Sequence, residues 1–347
     1  MADHSEVKLS EFDYELPPDR IAQQPPEARD AARMLWLHRE TGAVEDRRFR
    51  ELPDLLAPGD LLVANDSRVF PARLLGERAG GGKVEILLLE ELAPGEWTAL
   101  ARPGRKVTVG TVLRFGPDQI ATISGTGARG ERHLRFAGEN FAPWLEANGH
   151  VPLPPYIRRP DAAPDRERYQ TIYARQPGSA AAPTAGLHFT PRVLERLTAR
   201  GIAWTTVSLH VGLGTFQPVV SEDIERHAMH QERFAVSEAA AAALNRARAE
   251  GRRIVAVGTT AARVLETIAP AAGRPFVAAA GETGIYLYPG RPFRAVDAML
   301  TNFHAPKTTL LMMIAAFAGM EPLRHAYQHA LAGGYRFLSY GDCMLIL

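Results

Sequence analysis

The sequence has little of what marks several large classes of protein. Its single cysteine, Cys343, excludes a disulfide framework and any zinc site built from several cysteines. The longest apolar run, from Leu310 to Gly319, has about half the length that a bilayer span needs, so it predicts a buried helix and no membrane partner. The N-terminal segment is acidic and has no apolar core. We therefore expect no secretory signal and a cytoplasmic, reducing location.

The charge balance and the common catalytic motifs are equally uninformative. The formal net charge is +1, so the chain as a whole does not show the basic character of many nucleic-acid binders, although a local patch stays open. No Ser-His-Asp order, phosphate-binding P-loop or kinase motif set occurs. With 347 residues, 46% hydrophobic and 23% charged, the chain predicts a globular protein of two domains.

Short strand-like runs between Gly, Pro and Asp turns occupy residues 59–136. Their close spacing predicts a small barrel or sandwich. The runs are LLVAN, VFPARLLGER, KVEILLLEE, EWTALAR, TVLRF, QIATIS and ERHLRF. Phe141–Asn148 predicts a brief helix, and a connector rich in proline and arginine follows it, VPLPPYIRRPDAAPDRERY.

Helices and strands alternate from about residue 183. Thr190 and Ser237 are typical N-caps of the two helices that follow them, and IAWTTVSLHVG and RRIVAVG have the pattern of strands. This alternation predicts an α/β fold, a mostly parallel sheet with flanking helices. In such sheets ligands bind beyond the carboxyl ends of the strands, where the loops after Gly212 and Gly258 are expected.

Five segments combine Gly, His and Thr or Asn with an aromatic residue at a strand end or turn. Core packing does not require that mixture, whereas a substrate site built from loops does. We therefore expect the segments to form one site. They are PTAGLHFT (183–190), SLHVGLGTFQPV (208–219), HAMHQERF (227–234), GETGIYLYPG (281–290) and LTNFHAPKTTLL (300–311).

Several motifs have both a functional and a purely structural interpretation. HAMHQE could bind zinc, but it lacks the H-E-x-x-H spacing that puts two imidazoles on one helical face, so hydrogen bonding to substrate is the alternative. The strand-to-helix turn at Gly258 either binds a carboxylate or phosphate or is a plain capped connection. The Arg/Tyr cluster of the connector either contacts RNA or is a solvated face. The GTGARG run predicts a hairpin turn, because no helix follows it.

The motifs together resemble one family in order and over nearly the whole chain: the S-adenosylmethionine:tRNA ribosyltransferase-isomerases of queuosine biosynthesis. The segments that carry the resemblance are FDYELPPDRIAQQPPEARDAARML, GDLLVANDSRVFPARL, RYQTIYARQPGSAAAPTAGLHFT, LHVGLGTFQPV, HAMHQERF, VAVGTTAARVLE, GETGIYLYPG, LTNFHAPKTTLLMM and YRFLSYGDCMLIL. Ser67 and Cys343 depart from the family pattern without touching an identifiable chemical role.

The resemblance implies a fold and a reaction. Residues 1–58 and 150–347 would form an α/β domain, with a β-barrel domain at 59–149 inserted into it. The enzyme would move the ribosyl part of S-adenosylmethionine onto 7-aminomethyl-7-deazaguanine at the tRNA wobble position, releasing adenine and methionine. S-adenosylmethionine would be a consumed substrate, so we expect no cofactor. We expect no metal, because HAMHQE has poor zinc spacing and no cysteine can complete it, and we expect a monomer.

Such a reaction requires a base and a proton donor, and neutral histidine suits both near pH 7. The candidate catalytic residues are His188, His210, His230, His304, Glu232, Glu282 and Asp342. The candidate substrate-binding residues are Thr184, Gly186, Gly214, Thr215, Gly258, Thr259, Thr260, Asn302, Arg68, Arg158 and Arg159.

Two other functions remain open at this point. A zinc-dependent hydrolase would use HAMHQE, and a non-catalytic RNA-binding protein would use the barrel at 59–136. The second hypothesis leaves the histidine-bearing loops outside the barrel unexplained.

Overall fold

A computed structural model describes residues 7–127, 130–138, 141–212, 219 and 221–347. The helices are α1 (Leu52–Leu55), α2 (Phe141–Asn148), α3 (Asp165–Arg168), α4 (Pro191–Ala199), α5 (Glu238–Ala249), α6 (Gly258–Thr267), α7 (Thr309–Ala318) and α8 (Met320–Ala332). The strands are β1 (Arg33–Leu37), β2 (Val44–Arg48), β3 (Leu61–Asn65), β4 (Ser67–Val69), β5 (Arg73–Arg78), β6 (Lys83–Ala93), β7 (Glu96–Arg102), β8 (Val112–Phe115), β9 (Gln119–Thr126), β10 (Arg132–Phe136), β11 (Gln176–Ser179), β12 (Ala203–Leu209), β13 (Glu232–Val236), β14 (Ile254–Val257), β15 (Ala279–Thr283), β16 (Ala298–Asn302) and β17 (Cys343–Ile346).

A nine-stranded sheet of order β15-β13-β12-β3-β14-β16-β17-β1-β2 forms the centre of the larger unit. Four neighbouring strands, β12, β3, β14 and β16, run parallel. Antiparallel β13 and β15 extend the sheet on one side, and on the other β17 pairs antiparallel with β16 and parallel with β1, which pairs antiparallel with β2. Alternate residues of β3 enter two different cores, Leu61 and Val63 on one face, Leu62 and Ala64 on the other. Burial on both faces is what parallel strands require. The predicted α/β class is confirmed.

The LLVAN run lies in this sheet, so its assignment to the barrel stretch is wrong. LLVAN is β3, which pairs with β12 and with β14. Five consecutive residues of it are buried, as expected for a strand covered on both faces. In a barrel strand, buried and exposed residues alternate instead, as they do along most of β9.

Six antiparallel strands close into a barrel of order β10-β7-β6-β5-β8-β9. Side chains of alternate positions, such as Leu74, Ile86 and Leu113, fill its interior. The predicted inserted barrel is confirmed. Strand β9, which ends within the GTGARG run, pairs antiparallel with β10, as the hairpin interpretation requires, while Ala128 and Arg129 of the run lie outside the described residues. The limits of the two domains stay a prediction.

The sequence-predicted caps begin their helices. The hydroxyl of Thr190 accepts a hydrogen bond from Val193 N at 3.3 Å, and that of Ser237 accepts one from Ala240 N at 3.1 Å. The Leu310–Gly319 run forms most of α7, whose side chains are largely buried. Within the described part of the chain, no helix is both long and apolar enough to span a bilayer.

Candidate active site

The first cavity opens beyond the carboxyl ends of β14 and β16. Its empty space, open mouth included, measures about 810 Å³. Six of the site residues predicted from the sequence line it: Thr184, Gly258, Thr259, Thr260, Asn302 and His304. Loops at the ends of neighbouring parallel strands therefore come together as the sequence predicted.

The turn at Gly258 brings the start of α6 to this cavity. Gly258 has φ +88°, and a Cβ there would lie 3.3 Å from the Cβ of Ala185. Only glycine meets both conditions without strain. The helix begins directly after the strand, so backbone N–H groups of its first turn lie at the cavity. The Oγ1 of Thr260 is buried and has no hydrogen-bond partner among the described residues.

His304 is a buried, neutral histidine in the wall of the first cavity. Its Nε2 lies 2.9 Å from the hydroxyl oxygen of Thr301, and its backbone N–H donates to the hydroxyl oxygen of Tyr327 at 2.9 Å. Burial lowers the pKa of His304 to about 3. The ring can therefore donate or accept a hydrogen bond at pH 7 without carrying charge.

Asn302 joins this cavity to His188. Its Nδ2 donates to the carbonyl of Leu338 at 2.9 Å, and its Oδ1 lies 3.4 Å from Nε2 of His188. Burial lowers the pKa of His188 to about 4, and the hydrogen bond that its ring makes to the Asn302 oxygen opposes this shift. His188 packs on Phe49 and lines a small cavity beside the first one. Two neutral imidazoles thus flank Asn302.

A second cavity lies between the barrel and the large sheet. Its empty space measures about 960 Å³. Four further predicted residues line it: His210, His230, Glu232 and Glu282. Barrel residues Thr98 and Leu100 form the opposite wall, and Val211 lines both this cavity and the first. The predicted site is therefore divided over two adjoining cavities.

Asn65 fixes the backbone that presents His210. The Oδ1 of Asn65 accepts from Leu209 N at 3.0 Å, and its Nδ2 donates to Leu209 O at 3.0 Å. The half-buried ring of His210 has its Nδ1 beside Gly178, with no hydrogen-bond partner among the described residues. Burial and then the charge of Arg233 lower the pKa of His210, so this ring is neutral near pH 7 as well.

Glu232 is held by an arginine that the sequence analysis missed. Arg263 donates from Nη1 to the Oε2 of Glu232, and Gly212 N donates to its Oε1 at 2.9 Å. Both charged side chains are buried, with exposures of 3% and 4%. Among the described residues, Nε and Nη2 of Arg263 have no hydrogen-bond partner. An arginine inside the apolar helix sequence AARVLE was the available signal.

Three predicted residues lie away from both cavities, and two of them, Gly186 and Asp342, have structural contacts. A Cβ on Gly186 would lie 2.1 Å from the hydroxyl oxygen of Tyr173, so close packing accounts for this glycine. The carboxylate of Asp342 accepts from Arg33 N at 2.9 Å and Arg336 N at 2.7 Å. Arg68 is exposed on β4.

The remaining predicted residues divide between the connector and an undescribed loop. Arg159 donates to both carboxylate oxygens of the buried Asp165, at 2.6 and 2.8 Å. Arg158 is exposed and lines a groove against the barrel. Gly214 and Thr215 lie outside the described residues.

The HAMHQE segment does not group its side chains around one point. His227 packs edge-on against Tyr286 at 5.5 Å, while His230 and Glu232 line the second cavity. Across the described ranges, no three His, Cys, Asp or Glu side chains are grouped as a metal ion would need.

Comparison with known proteins decides the family. The chain matches the family model described as "Queuosine biosynthesis protein" over residues 9–346. The chain belongs to this family. The S-adenosylmethionine:tRNA ribosyltransferase-isomerase of Moorella thermoacetica is 54% identical, with 98% of this chain and 100% of the relative covered. The enzyme of that name from Thermotoga maritima is 49% identical at the same coverage.

A solved relative supports the fold of this queuosine biosynthesis family member. The crystal structure of S-adenosylmethionine tRNA ribosyltransferase from Thermotoga maritima has a TM-score of 0.56 and 41% identity, covering 97% of this chain and 100% of that one. The protein is thus an enzyme of the ribosyltransferase-isomerase family. Its two adjoining cavities, with ten of the predicted residues in their walls, are the candidate active site.

Proposed function

We propose that the enzyme transfers and isomerises the ribosyl part of S-adenosylmethionine onto 7-aminomethyl-7-deazaguanine in the wobble position of tRNA. The products are epoxyqueuosine-modified tRNA, adenine and methionine. The observation that carries this proposal is the pair of adjoining cavities with neutral histidines in both, in a chain that matches its family over nearly its whole length.

The first cavity suits the methionine end of S-adenosylmethionine. Backbone N–H groups at the start of α6 and the positive end of the helix favour a carboxylate. The unpartnered hydroxyl of Thr260 supplies one more donor there. The same helix end disfavours a sulfonium, so we place the cation toward the exposed carboxylate of Glu282 in the second cavity, since Glu232 is already paired with Arg263.

The second cavity suits the incoming amine. It is bounded by the barrel on one side and by carboxylate-bearing β13 and β15 on the other, and Glu282 is exposed. An ammonium binds well beside carboxylates, and it must lose a proton before it can attack. A neutral imidazole within this cavity can accept that proton, and His210 lines it.

The chemistry starts at the sulfonium, whose charge acidifies the neighbouring ribose 5′ carbon. A base removes that proton, the ribose ring opens and adenine leaves with a proton from an acid. The amine then attacks, and epoxide closure breaks the carbon–sulfur bond and expels methionine. His188 and His304 each already have a described hydrogen-bond partner, whereas Nδ1 of His210 has none. We therefore assign His210 to contact the reacting groups and His188 to the cavity wall, while His304, which lines the first cavity, stays a candidate for proton transfer.

Product analysis tests the proposal directly. The enzyme is incubated with S-adenosylmethionine and tRNA that carries the 7-aminomethyl-7-deazaguanine precursor, with and without a metal chelator. Adenine and methionine are expected in equal amounts, with epoxyqueuosine detected by nucleoside mass spectrometry and no effect of the chelator. The control is the same tRNA with guanine at the wobble position, which should release neither. Methyl transfer with S-adenosylhomocysteine as product would overturn the proposal.

A further inference from the structure

One end of the barrel carries more exposed cations than carboxylates. Lys83 begins β6, Arg102 ends β7 and Arg114 lies in β8, and the strand register brings these positions to the same end of the barrel. Arg105 and Lys106 follow in the turn after β7. All five side chains are exposed, and none of them forms an ion pair with a described residue. Two carboxylates lie nearby: Glu85, opposite Arg102, is already paired with Arg73 at 3.0 Å, and Glu77 lies opposite Lys83 and Arg114 in the register. With five cations against one carboxylate that is not already paired, this end keeps a positive charge.

The opposite end of the barrel has the reverse character. Glu90 and Glu91 lie near the end of β6, and Glu96 begins β7. Two of these carboxylates are paired with arginines, Glu96 with Arg135 at 2.8 Å and Glu90 with Arg233 at 3.4 Å. The barrel is therefore polarised, and its unpaired positive charge is concentrated at one end.

Three neighbouring depressions that share lining residues extend from the candidate active site to the basic end. Leu100 lines both the second cavity and a groove between the barrel and the connector at 152–160. Arg158 and Arg102 line that groove. Arg102 also lines the next depression, which includes Lys83, Arg114 and Leu75, the last 49% exposed.

We propose that this basic barrel surface, defined by Lys83, Arg102, Arg114 and Arg158, binds the phosphate backbone of the RNA substrate. The inference rests on the proposed function, because that function supplies the polyanion whose reacting base enters the second cavity. Unpaired exposed cations are suited to phosphates. Only a long ligand can occupy both the cavity and the barrel end, and the exposed Leu75 offers apolar contact to its sugars or bases.

Salt dependence of tRNA binding tests this surface. The triple variant Lys83→Ala, Arg102→Ala, Arg114→Ala is compared with Arg192→Ala, Arg246→Ala, Arg274→Ala, which removes the same charge from exposed positions elsewhere. Each lost phosphate contact should lower the slope of log affinity against log salt by about 0.7–0.9. We expect a loss of about two units for the barrel variant and none for the control. The KM for S-adenosylmethionine and the melting temperature should stay at the parent values.

The outcomes separate the surface from the reaction. If the barrel variant keeps the parent's salt slope, or the control variant loses as much slope as the barrel variant, the proposed phosphate-binding surface is wrong. Adenine release by the parent enzyme would still support the proposed function in that case. A lowered slope in the barrel variant alone, in a protein that releases no adenine, supports the surface and overturns the function.

Discussion

At the scale of single residues, burial decides what identical side chains do. Arg158 and Arg159 are neighbours in the connector, yet Arg159 closes a bidentate pair with buried Asp165 while Arg158 faces a groove. Removing one partner of a buried pair typically costs about 3–5 kcal/mol of stability. The phosphate-binding role predicted for both residues is therefore testable at Arg158 without loss of fold, whereas at Arg159 it would be obscured by unfolding.

The buried histidines should make stability depend on pH. Folded pKa values of about 4 for His188 and about 3 for His304 lie below the unfolded value of 6.5. The unfolded chain binds these protons first as pH falls, so stability is full above pH 6.5 and is lost between 6.5 and the folded values. Each residue contributes a slope of up to about 1.4 kcal/mol per pH unit. Urea unfolding of the parent and of His188→Gln at several pH values checks this, and equal slopes would contradict it.

His304 also allows a kinetic prediction. If it takes part in proton transfer, His304→Ala should lower turnover by about 10²–10⁴ while the KM for S-adenosylmethionine is kept. Thr301→Val is the matched control, because it removes the hydroxyl that the ring contacts at 2.9 Å and leaves the imidazole. A folded His304→Ala enzyme with turnover within about threefold of the parent, well below that catalytic range, would restrict His304 to packing the wall.

How much of the site could be predicted depended on where its residues lie in the sequence. Residues at strand ends, such as Thr259, Asn302 and His210, were predicted because Gly, Thr and His interrupt apolar runs there. Arg263 was missed because its role depends on Glu232, 31 residues away in the chain. Asp342 lies in a motif as distinctive as those of Thr259, Asn302 and His210, but its carboxylate accepts hydrogen bonds from backbone N–H groups and lies away from both cavities. Motif composition does not reveal which groups a side chain will meet.

At the scale of elements, local signals predicted type better than partnership. The predicted caps at Thr190 and Ser237 begin α4 and α5, because capping uses atoms only a few residues apart. The strand β3 was recognised as a strand but placed in the wrong sheet. Its neighbours, β12 and β14, come more than a hundred residues later, so no local pattern indicates them.

The β14–α6 connection should not tolerate a side chain at its glycine. Gly258→Ala meets both a positive φ of 88° and the Cβ of Ala185 at 3.3 Å. Gly273→Ala is the control, since it has φ +77° and open space around the new Cβ. The left-handed backbone alone costs about 1–2 kcal/mol, which both variants share. We expect Gly258→Ala to lose more stability and to raise the KM for S-adenosylmethionine, whereas equal melting curves and unchanged KM would show that the contact with Ala185 is unimportant.

At the scale of the whole molecule, the barrel is attached where the chain enters and leaves it. Arg73 N donates to His150 O at 3.2 Å, and His150 N donates to Arg73 O at 2.8 Å. The two ends of the barrel segment are thus adjacent, as an inserted domain requires. The change in composition near residue 59 comes before the entry of the chain into the barrel at Arg73, because the buried strand β3 of the large sheet lies between residues 59 and 73.

Two deletions should therefore behave differently. Replacing residues 74–149 by a short Gly-Ser linker should leave a folded protein, because the chain ends that it joins are already hydrogen-bonded to each other. That protein should bind S-adenosylmethionine, whose methionine end we place in the first cavity, and it should form no epoxyqueuosine, because the barrel wall of the second cavity is gone.

Deleting 59–149, the domain predicted from the sequence, removes β3 from between β12 and β14 and should abolish folding. Circular dichroism and cooperative thermal unfolding measure both outcomes, with titration of S-adenosylmethionine for the folded one. A folded 59–149 deletion would place the domain boundary before β3, and an unfolded 74–149 deletion would show that the large sheet depends on the barrel.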